Sequence, residues 1–320
     1  MALNPGREFL AETQSHIEKA NLVNVEMLKD YVADLDIHLT YIETVKNPET
    51  NEENKIIKKY KSQQAANIII NYPETRIIRD KDTGTIWCFT PKQGIYSSYG
   101  ADIIRLIALT KSEGKGDITY ANNVAKTIEA LTPGKATPSK KIAVKNGILE
   151  ITADKVTIAP FSQDEFITNK LTVTYNPDAK EKLNAKGQNI QEFFKEVCPD
   201  DHDLLQEWSG YHLIRDMPYH KLMWLFGPKG RNAKGTWARI IQGTIGYENF
   251  SNLSAEDLTG KNEFALASLD GKLGNISPEP NSDIPFATET IQSLTGADYI
   301  DTKIKYVQKP LKLRNIAKSP

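Results

Sequence analysis

The sequence predicts a C-terminal α/β domain built around a glycine-rich loop, behind a mixed α+β domain and a helical N-terminal extension. Three observations lead to this fold class. Apolar residues recur at three- and four-residue intervals over the first 60 residues, which is typical of helices. From residue 143 onward the pattern alternates, as it does in strands. A continuous apolar run over 222–226 then leads into the glycine-rich loop and another helical pattern.

The length sets the number of domains. At about 100–200 residues per domain, a chain of 320 residues suggests two domains with their own cores and an extension. We divide it into a helical acidic extension (1–60), an α+β domain (61–204) and an α/β domain (205–320).

The composition excludes several classes of protein. With 39% hydrophobic and 25% charged residues, the chain is predicted to be soluble and globular. No apolar run approaches the ~18–20 residues of a membrane span, and the N-terminus lacks a signal peptide's layout. Two cysteines, Cys88 and Cys198, cannot build a disulfide framework or a cysteine-rich zinc site. We expect a cytoplasmic protein with no membrane partner.

The net charge of −1 conceals an uneven distribution of charge. Residues 1–54 carry 11 acidic and 4 basic side chains, whereas residues 303–320 carry six Lys/Arg and no acid. A cationic segment of this kind suits phosphate contact, and an ordinary solvated stretch is the alternative.

The N-terminal half contains a polar linker, a hairpin and two helices. Residues 46–55 are polar, include Pro48 and predict the linker. Two apolar runs around an Asp-Thr-Gly turn predict a β-hairpin over 76–89. Residues 101–110 and 120–131 have helical spacing.

The C-terminal half begins after a second linker at 132–141. Strands are predicted over 143–161 and 170–175, and helices over 189–197 and 202–214. The tryptophans are interpreted as core residues rather than base-stacking platforms: Trp87, Trp208, Trp224 and Trp237.

The segment that carries chemistry is HKLMWLFGPKGRNAKGTWARII, residues 220–241. An apolar run typical of a buried parallel strand, a glycine-rich loop, a lysine and a helix form the arrangement of a phosphate-binding loop (P-loop). Backbone N–H groups of such a loop and the positive end of the helix surround phosphates, and the lysine adds a point charge. Lys234 is predicted to be that lysine.

The loop departs from the G-x-x-x-x-G-K-[ST] pattern. Pro228 stands where the first glycine belongs, Ala233 precedes the lysine, and Gly235 follows it, so the metal-binding hydroxyl would come from Thr236. A left-handed alanine costs about 1–2 kcal/mol. Because a micromolar nucleotide is worth about 8 kcal/mol, binding would weaken but survive.

Hydrolysis also requires an acid at the end of a neighbouring strand to hold Mg²⁺ and orient water. The segment 271–281 offers a short apolar strand followed by Glu279, which is the candidate. A surface glutamate in a Pro-rich turn is the alternative interpretation.

The chain resembles the superfamily 3 helicases of the phage and plasmid primase-helicase family, whose ATPase follows a domain related to the N-terminal part of the poxvirus-type primase-helicase. The similarity runs from about residue 61 to the end and rests on three ordered blocks: 146–179, 204–237, and 257–280 followed by 294–300. The resemblance implies an AAA+-like P-loop ATPase that unwinds or remodels DNA during replication of a virus, phage or plasmid.

Site residues are implied position by position. Lys234 resembles the phosphate-binding lysine, Asn232 the loop asparagine, Thr236 the nearby hydroxyl and Glu279 the catalytic acid. The expected ATP site comprises Gly227, Gly230, Asn232, Ala233, Lys234, Gly235 and Thr236, with Mg²⁺ held by Thr236 and Glu279.

The resemblance also implies a DNA-gripping hairpin. In that family such a hairpin projects into the central channel of a hexameric ring and binds single-stranded DNA. The segment 298–313 occupies its place, with Lys305 as the matching lysine and Lys303 beside it. A basic edge strand protected against aggregation is the alternative.

The family continues beyond this point. Its next strand ends in a polar sensor residue, and a later arginine reaches the neighbouring subunit. Asn315 falls too early to be that sensor. We therefore expect a fragment of a longer protein rather than a degenerate ATPase, with weak or no ATP hydrolysis by these 320 residues alone. Residues 1–60 are too short for a primase, so any primase domain is expected upstream or in trans.

A non-motor DNA-binding or oligomerisation module with a structural or inactive nucleotide site is the main alternative, and a small-molecule P-loop kinase fits the loop but not residues 61–204. His202 among Asp200, Asp201 and Asp203 is interpreted as a helix N-terminus rather than a metal site.

Overall fold

The computed structural model describes residues 25–80, 84–152, 154–227, 232–259, 262, 264–277, 288–303 and 311–319. The chain divides into two compact units. Unit 1 comprises the chain up to Ser139 together with Ser162–Thr168. Unit 2 comprises Lys140–Phe161 together with the chain from Asn169 onward.

Unit 1 packs helices with a four-stranded sheet. Its helices are α1 (Val25–Asp34), α2 (Ser62–Asn71), α3 (Gly100–Thr110) and α4 (Ile118–Leu131). Its sheet, in the order β5-β4-β3-β6, consists of β3 (Ile77–Asp80), β4 (Ile86–Thr90), β5 (Ile95–Ser97) and β6 (Gly134–Ala136). The predicted hairpin is confirmed, because β3 and β4 pair antiparallel with Ile77 opposite Cys88. The two predicted helices are confirmed as α3 and α4.

The core of unit 1 follows from helical spacing. In α3, Ile103, Ile104 and Ile107 are buried, and in α4, Val124 and Ile128 are buried. These positions recur every three or four residues and therefore form one apolar face on each helix. The two faces belong to the same hydrophobic cluster.

The predicted helical extension over 1–60 is wrong for residues 40–59, and residues 1–24 lie outside the described part of the chain. Two strands, β1 (Thr40–Lys46) and β2 (Glu53–Lys59), pair antiparallel over seven residues each. Threonine, tyrosine, isoleucine and valine in β1 favour a strand. The predicted linker at 46–55 is the end of this ribbon, where Asn47 N donates to Glu52 O at 2.9 Å.

Unit 2 begins with an antiparallel sheet of three strands, as the sequence predicts. They are β7 (Ile142–Val144), β8 (Gly147–Ile151) and β9 (Val156–Ala159). The predicted strand over 170–175 is reduced to a bridge between Lys170 and Ala143. Leu171 N donates to Ala143 O at 2.8 Å, and Lys145 N donates to Val173 O at 2.9 Å.

Short parallel pairings organise the rest of unit 2. Strands β10 (Phe250–Ser251) and β11 (Gly274–Asn275) are parallel. On the other side of β11, Gly274 forms a parallel bridge with Lys318, and Asn275 N donates to Lys318 O at 2.8 Å. Beside residue 318, Met223 N donates to Ser319 O at 3.1 Å. The backbone segments that contain these residues therefore lie side by side in the order Met223, Ser319, Asn275, Ser251.

Helices and a hairpin complete unit 2. The helices are α5 (Ile190–Val197), α6 (His202–Tyr211), α7 (Lys234–Ile245) and α8 (Thr288–Gly296). The hairpin consists of β12 (Tyr299–Thr302) and β13 (Leu311–Arg314), which pair antiparallel.

Two predictions for unit 2 need correction. Residues 221–227 have no regular secondary structure, although they lie beside residue 319 at one point. Trp224, predicted as a core residue, is 56% exposed, and Phe226 is 90% exposed. Apolar character alone does not create a strand, since a strand also needs backbone partners along its length.

The expected boundary near residue 204 does not coincide with the division between the units. Val144 and Leu171 belong to the same buried cluster as Trp208 and Trp237. A hydrophobic core is shared by residues that are close in space. The strands from residue 142 onward therefore belong with the α/β segment.

Candidate nucleotide and nucleic-acid site

The phosphate-loop lysine is the first residue of a helix. Helix α7 begins at Lys234, and Ala233 before it has φ 61° and ψ 6°, in the left-handed region. Ala233 O accepts hydrogen bonds from Thr236 N and Trp237 N, each at 2.9 Å. Buried Trp237 and Ile241 fix the orientation of the helix. The start of α7 therefore combines a lysine with the positive end of a helix.

Gly227 lies against the side chain of Asn232. A Cβ atom added at Gly227 would collide with the Asn232 side-chain amide. The residues on either side of 228–231 therefore approach closely, and glycine permits that approach. Gly230 and Pro228 lie outside the described residues.

A cavity of about 800 Å³ lies beside this loop. Gly227, Lys234 and Gly235 line it, together with the aromatic side chains of Trp224 and Phe226. Its remaining walls are mostly apolar. A cavity of this size and character is typical of a site for a small molecule or cofactor.

The remaining loop residues lie elsewhere. Asn232 and Ala233 line a separate hollow of about 550 Å³ with Lys186 and Glu196, whose side chains form an ion pair at 3.2 Å. The structure therefore does not bring the six described loop residues around a single cavity.

Of the two predicted metal ligands, Thr236 and Glu279, the structure describes only Thr236. The Thr236 hydroxyl accepts a hydrogen bond from Arg239 Nη2 at 3.3 Å. A guanidinium beside this oxygen opposes a divalent cation, so Thr236 in this conformation does not fit a magnesium ligand. Glu279 lies outside the described residues. Across the described ranges, no group of three or more His, Cys, Asp or Glu side chains is placed to hold a metal.

Asn275, at the end of β11, is a further residue near the site that the sequence pattern does not indicate. Asn275 is fully buried. Its Oδ1 accepts from Ser251 Oγ at 2.8 Å and from Leu253 N at 2.7 Å, and its Nδ2 donates to Ser277 Oγ at 3.3 Å. This network joins β11 to the segment after β10 and positions Ser277, which lines the large cavity. An isolated asparagine in the sequence gives no signal of such a role.

Asn315 also lines the large cavity, but its amide is used within the fold. Its Nδ2 donates to Leu294 O at 3.0 Å and to Ala317 O at 3.1 Å, and its Oδ1 accepts from Ala317 N at 3.1 Å. These bonds position the segment that follows, which pairs with β11 at Lys318. Asn315 therefore has a structural role in this segment.

The basic hairpin predicted from the sequence has its two strands in β12 and β13. Thr302 pairs with Leu311, and Lys303 follows β12 as an exposed residue. Arg314 at the end of β13 forms an ion pair with Asp216 at 3.3 Å, and Lys140 pairs with the same carboxylate at 3.0 Å. Lys305 lies outside the described residues.

The acidic segment at 200–203 begins a helix, since α6 starts at His202. Asp201 occupies the N-cap position but makes no side-chain capping hydrogen bond. His202 lies 3.3 Å from the Asp203 carboxylate.

Residues 54–199 match a family model described as D5 N terminal like. This match supports a phage or viral primase-helicase family. Residues 225–319, which include the glycine-rich loop, α7 and the basic hairpin, match a family of unknown function (DUF5906). No curated protein matches the chain. Over the described ranges, none of the helices has the length and apolar character needed to cross a membrane.

Proposed function

We propose that this primase-helicase-like protein is an ATP-dependent DNA helicase or translocase that acts in replication of a virus, phage or plasmid. The position of Lys234 carries the proposal. It is the first residue of α7, it follows a left-handed residue, and it lines the large cavity with Gly227. The match at 54–199 supports a replication role.

The residues at the start of α7 are suited to hold a nucleoside triphosphate. First-turn N–H groups of a helix have no acceptor within the helix and point toward a bound anion. The Lys234 ammonium would add a charge-assisted contact to the same phosphates. The walls of the cavity beside it would exclude water from the rest of the nucleotide.

The order of the backbone pairings supports an α/β arrangement around this loop. In open α/β sheets, ligands bind in the crevice beyond the carboxyl ends of parallel strands. The loop comes shortly after Met223, whose N donates to Ser319 O, and Ser277 follows the parallel strand β11. Gly227 and Lys234 of the loop line the same cavity as Ser277. Glu279, two residues beyond Ser277, remains the proposed catalytic acid.

The basic hairpin would contact single-stranded DNA. Lys303 at the end of β12 is exposed, and Lys305 follows two residues later. Lysines in this segment suit contact with phosphates. A hexameric ring that surrounds the strand, and a primase domain upstream or in trans, belong to the same proposal.

The substitution Lys234→Ala tests the nucleotide site. Because a hydrogen bond to a charged group contributes about 1.5–3 kcal/mol, we expect ATP affinity to fall by about 10- to 100-fold. Titration with a fluorescent ATP analogue measures this affinity. The control is Lys195→Ala, which removes an exposed lysine from the last turn of α5.

Unchanged affinity in the Lys234→Ala variant, with helical content and melting temperature preserved, would contradict the proposed site. An equal loss in the Lys195→Ala variant would show that the effect is not specific to α7.

A second candidate function is a non-motor module whose loop binds nucleotide structurally. The hydrogen bond from Arg239 to Thr236 favours this candidate, because it occupies the expected metal-binding hydroxyl. ATP binding by this protein without any DNA-stimulated turnover would support the non-motor module against the motor.

A further inference from the structure

The β1–β2 ribbon is exposed along its length. Large apolar side chains on it are 37–66% exposed: Tyr41, Ile42, Val45, Ile56 and Ile57. An isolated two-stranded hairpin is marginally stable in water. Large exposed apolar patches on soluble proteins mark surfaces that bind another molecule.

Both faces of the ribbon carry apolar residues. Directly opposed residues lie on the same face of an antiparallel pair. Ile42 opposes Ile57 on one face, while Tyr41 and Val45 lie on the other face with Ile56. The ribbon therefore does not have a single apolar face that would pack on a core within its own unit.

The two edges of the ribbon differ in charge. Strand β2 carries Lys55, Lys58 and Lys59, and lysines on an edge strand discourage further pairing. Strand β1 has the sequence TYIETVK, with lysine only at its last position. Within the described ranges, the sheet of β1 and β2 has two strands, so the β1 edge has no further strand beside it.

Charge is separated along the ribbon. Glu49 and Glu52 lie in the exposed turn at the tip, whereas Lys59 and Lys61 lie at the root. In two ribbons placed antiparallel, each acidic tip lies beside the basic root of the other ribbon. A pattern that complements itself in this way fits an isologous contact with two-fold symmetry.

We propose that the β1–β2 ribbon is a self-association surface, in which β1 pairs antiparallel with β1 of a second copy of this chain. The pairing joins two ribbons into a four-stranded sheet, supplies backbone partners to the β1 edge and brings the apolar side chains of both copies together. The contact does not depend on the proposed nucleotide site.

Charge pairing within the ribbon favours a protein partner over nucleic acid. Residues 40–59 contain four glutamates and four lysines, so the ribbon has no net charge. Lys46 pairs with Glu53 at 3.6 Å, and Lys58 pairs with Glu43. A nucleic-acid surface instead presents unopposed lysines to phosphates.

Charge reversal in the full chain tests the contact. A tip variant carries Glu49→Lys and Glu52→Lys, and a root variant carries Lys59→Glu and Lys61→Glu. We expect each variant alone to lose the ribbon contact, because tip and root then have the same sign. An equimolar mixture should regain it, since each tip again meets an opposite root. Sedimentation velocity measures the mass of each sample.

The control is the double substitution Glu181→Lys and Lys182→Glu, which alters exposed residues of unit 2. We expect it to leave the mass unchanged. The proposal would be overturned if the mixture of tip and root variants had no higher mass than either variant alone. It would also be overturned if the wild type had the same mass as each variant. Loss of DNA binding without any change in mass would identify the ribbon as a nucleic-acid surface and also overturn it.

Discussion

His212, which follows α6, and Lys318 are buried titratable side chains of unit 2. Lys318 is fully buried, and its Nζ donates to Ile316 O at 2.9 Å and to Ile214 O. Burial lowers its pKa to about 7. His212 is also fully buried, and burial lowers its pKa to about 4. In both cases the folded state disfavours the charged form.

The substitution His212→Phe tests the effect of this burial on stability. Between pH 6.5 and about 4, the unfolded state binds a proton at His212 and the folded state does not. Stability therefore falls as pH falls through this window, by at most about 1.4 kcal/mol per pH unit. We expect the free energy of unfolding of the wild type, relative to His212→Phe, to decrease as the pH is lowered from 6.5 to 4.

Urea denaturation at several pH values measures this difference. Phenylalanine keeps an aromatic ring beside Phe250, whose centroid lies 5.4 Å from that of His212. His202→Phe, in which the replaced ring is more exposed, is the matched control. A constant difference between wild type and His212→Phe across the window would refute the expected linkage.

At the scale of elements, helix α7 begins with a strained residue. Ala233 has φ 61°, a conformation that costs an L-residue about 1–2 kcal/mol. The position of Ala233 directly before the lysine predicts a left-handed residue here. The strain is local to the residue that directs the chain into the helix.

The substitution Ala233→Gly is expected to stabilise unit 2. Glycine removes the strain of about 1–2 kcal/mol but adds about 0.5–1 kcal/mol of conformational entropy to the unfolded chain. We therefore expect a net gain of about 0.5–1 kcal/mol in the free energy of unfolding. Chemical denaturation followed by tryptophan fluorescence measures it. Ala238→Gly, inside the same helix, should instead destabilise. A loss of stability in both variants would count against the left-handed conformation.

The hairpins show which local signals are sufficient. The pairing of β3 with β4 was predicted because two apolar runs flank a recognisable Gly turn. The basic hairpin of β12 and β13 was expected from the resemblance, and its strands are present. The ribbon of β1 and β2 was missed, because its polar turn resembles a linker and its exposed faces lack the alternation of a half-buried strand.

At the scale of the whole molecule, net charge is a poor guide to nucleic-acid binding. The chain has a net charge of −1, yet residues 303–320 contain six basic residues and no acid. Of these six, Lys318 is buried and Arg314 pairs with Asp216, whereas Lys303 is exposed. Phosphate contacts depend on local charge, because solvent ions screen charges more than about 8–10 Å apart.

The double substitution Lys303→Ala and Lys305→Ala tests the proposed DNA contact. Each contacted phosphate of a single strand adds about 0.7 to the slope of log affinity against log salt. We expect the double variant to bind single-stranded DNA more weakly and with a slope reduced by about 1.4. Fluorescence anisotropy at several salt concentrations measures the slope. Lys180→Ala with Lys182→Ala, both exposed in unit 2, is the control. An unchanged slope in the hairpin variant would exclude these lysines from the contact.

The sequence by itself determined most of the local elements and the position of the glycine-rich loop. Helical spacing located α3 to α6, and alternation located the strands from β7 to β9, because these patterns record which side of each element is buried. The lysine at the start of α7 was also identifiable, since a loop motif is contiguous in the sequence.

Only the tertiary structure decided which distant segments meet. Three findings depend on contacts between residues far apart in the chain. Strand β7 shares the core of Trp237, and Lys318 is buried. Asn232 does not line the cavity that Lys234 lines. Local patterns show that a side chain is apolar or charged, but not which surface it meets. The packing of one element depends on all the others, because each apolar face has to be buried against another element.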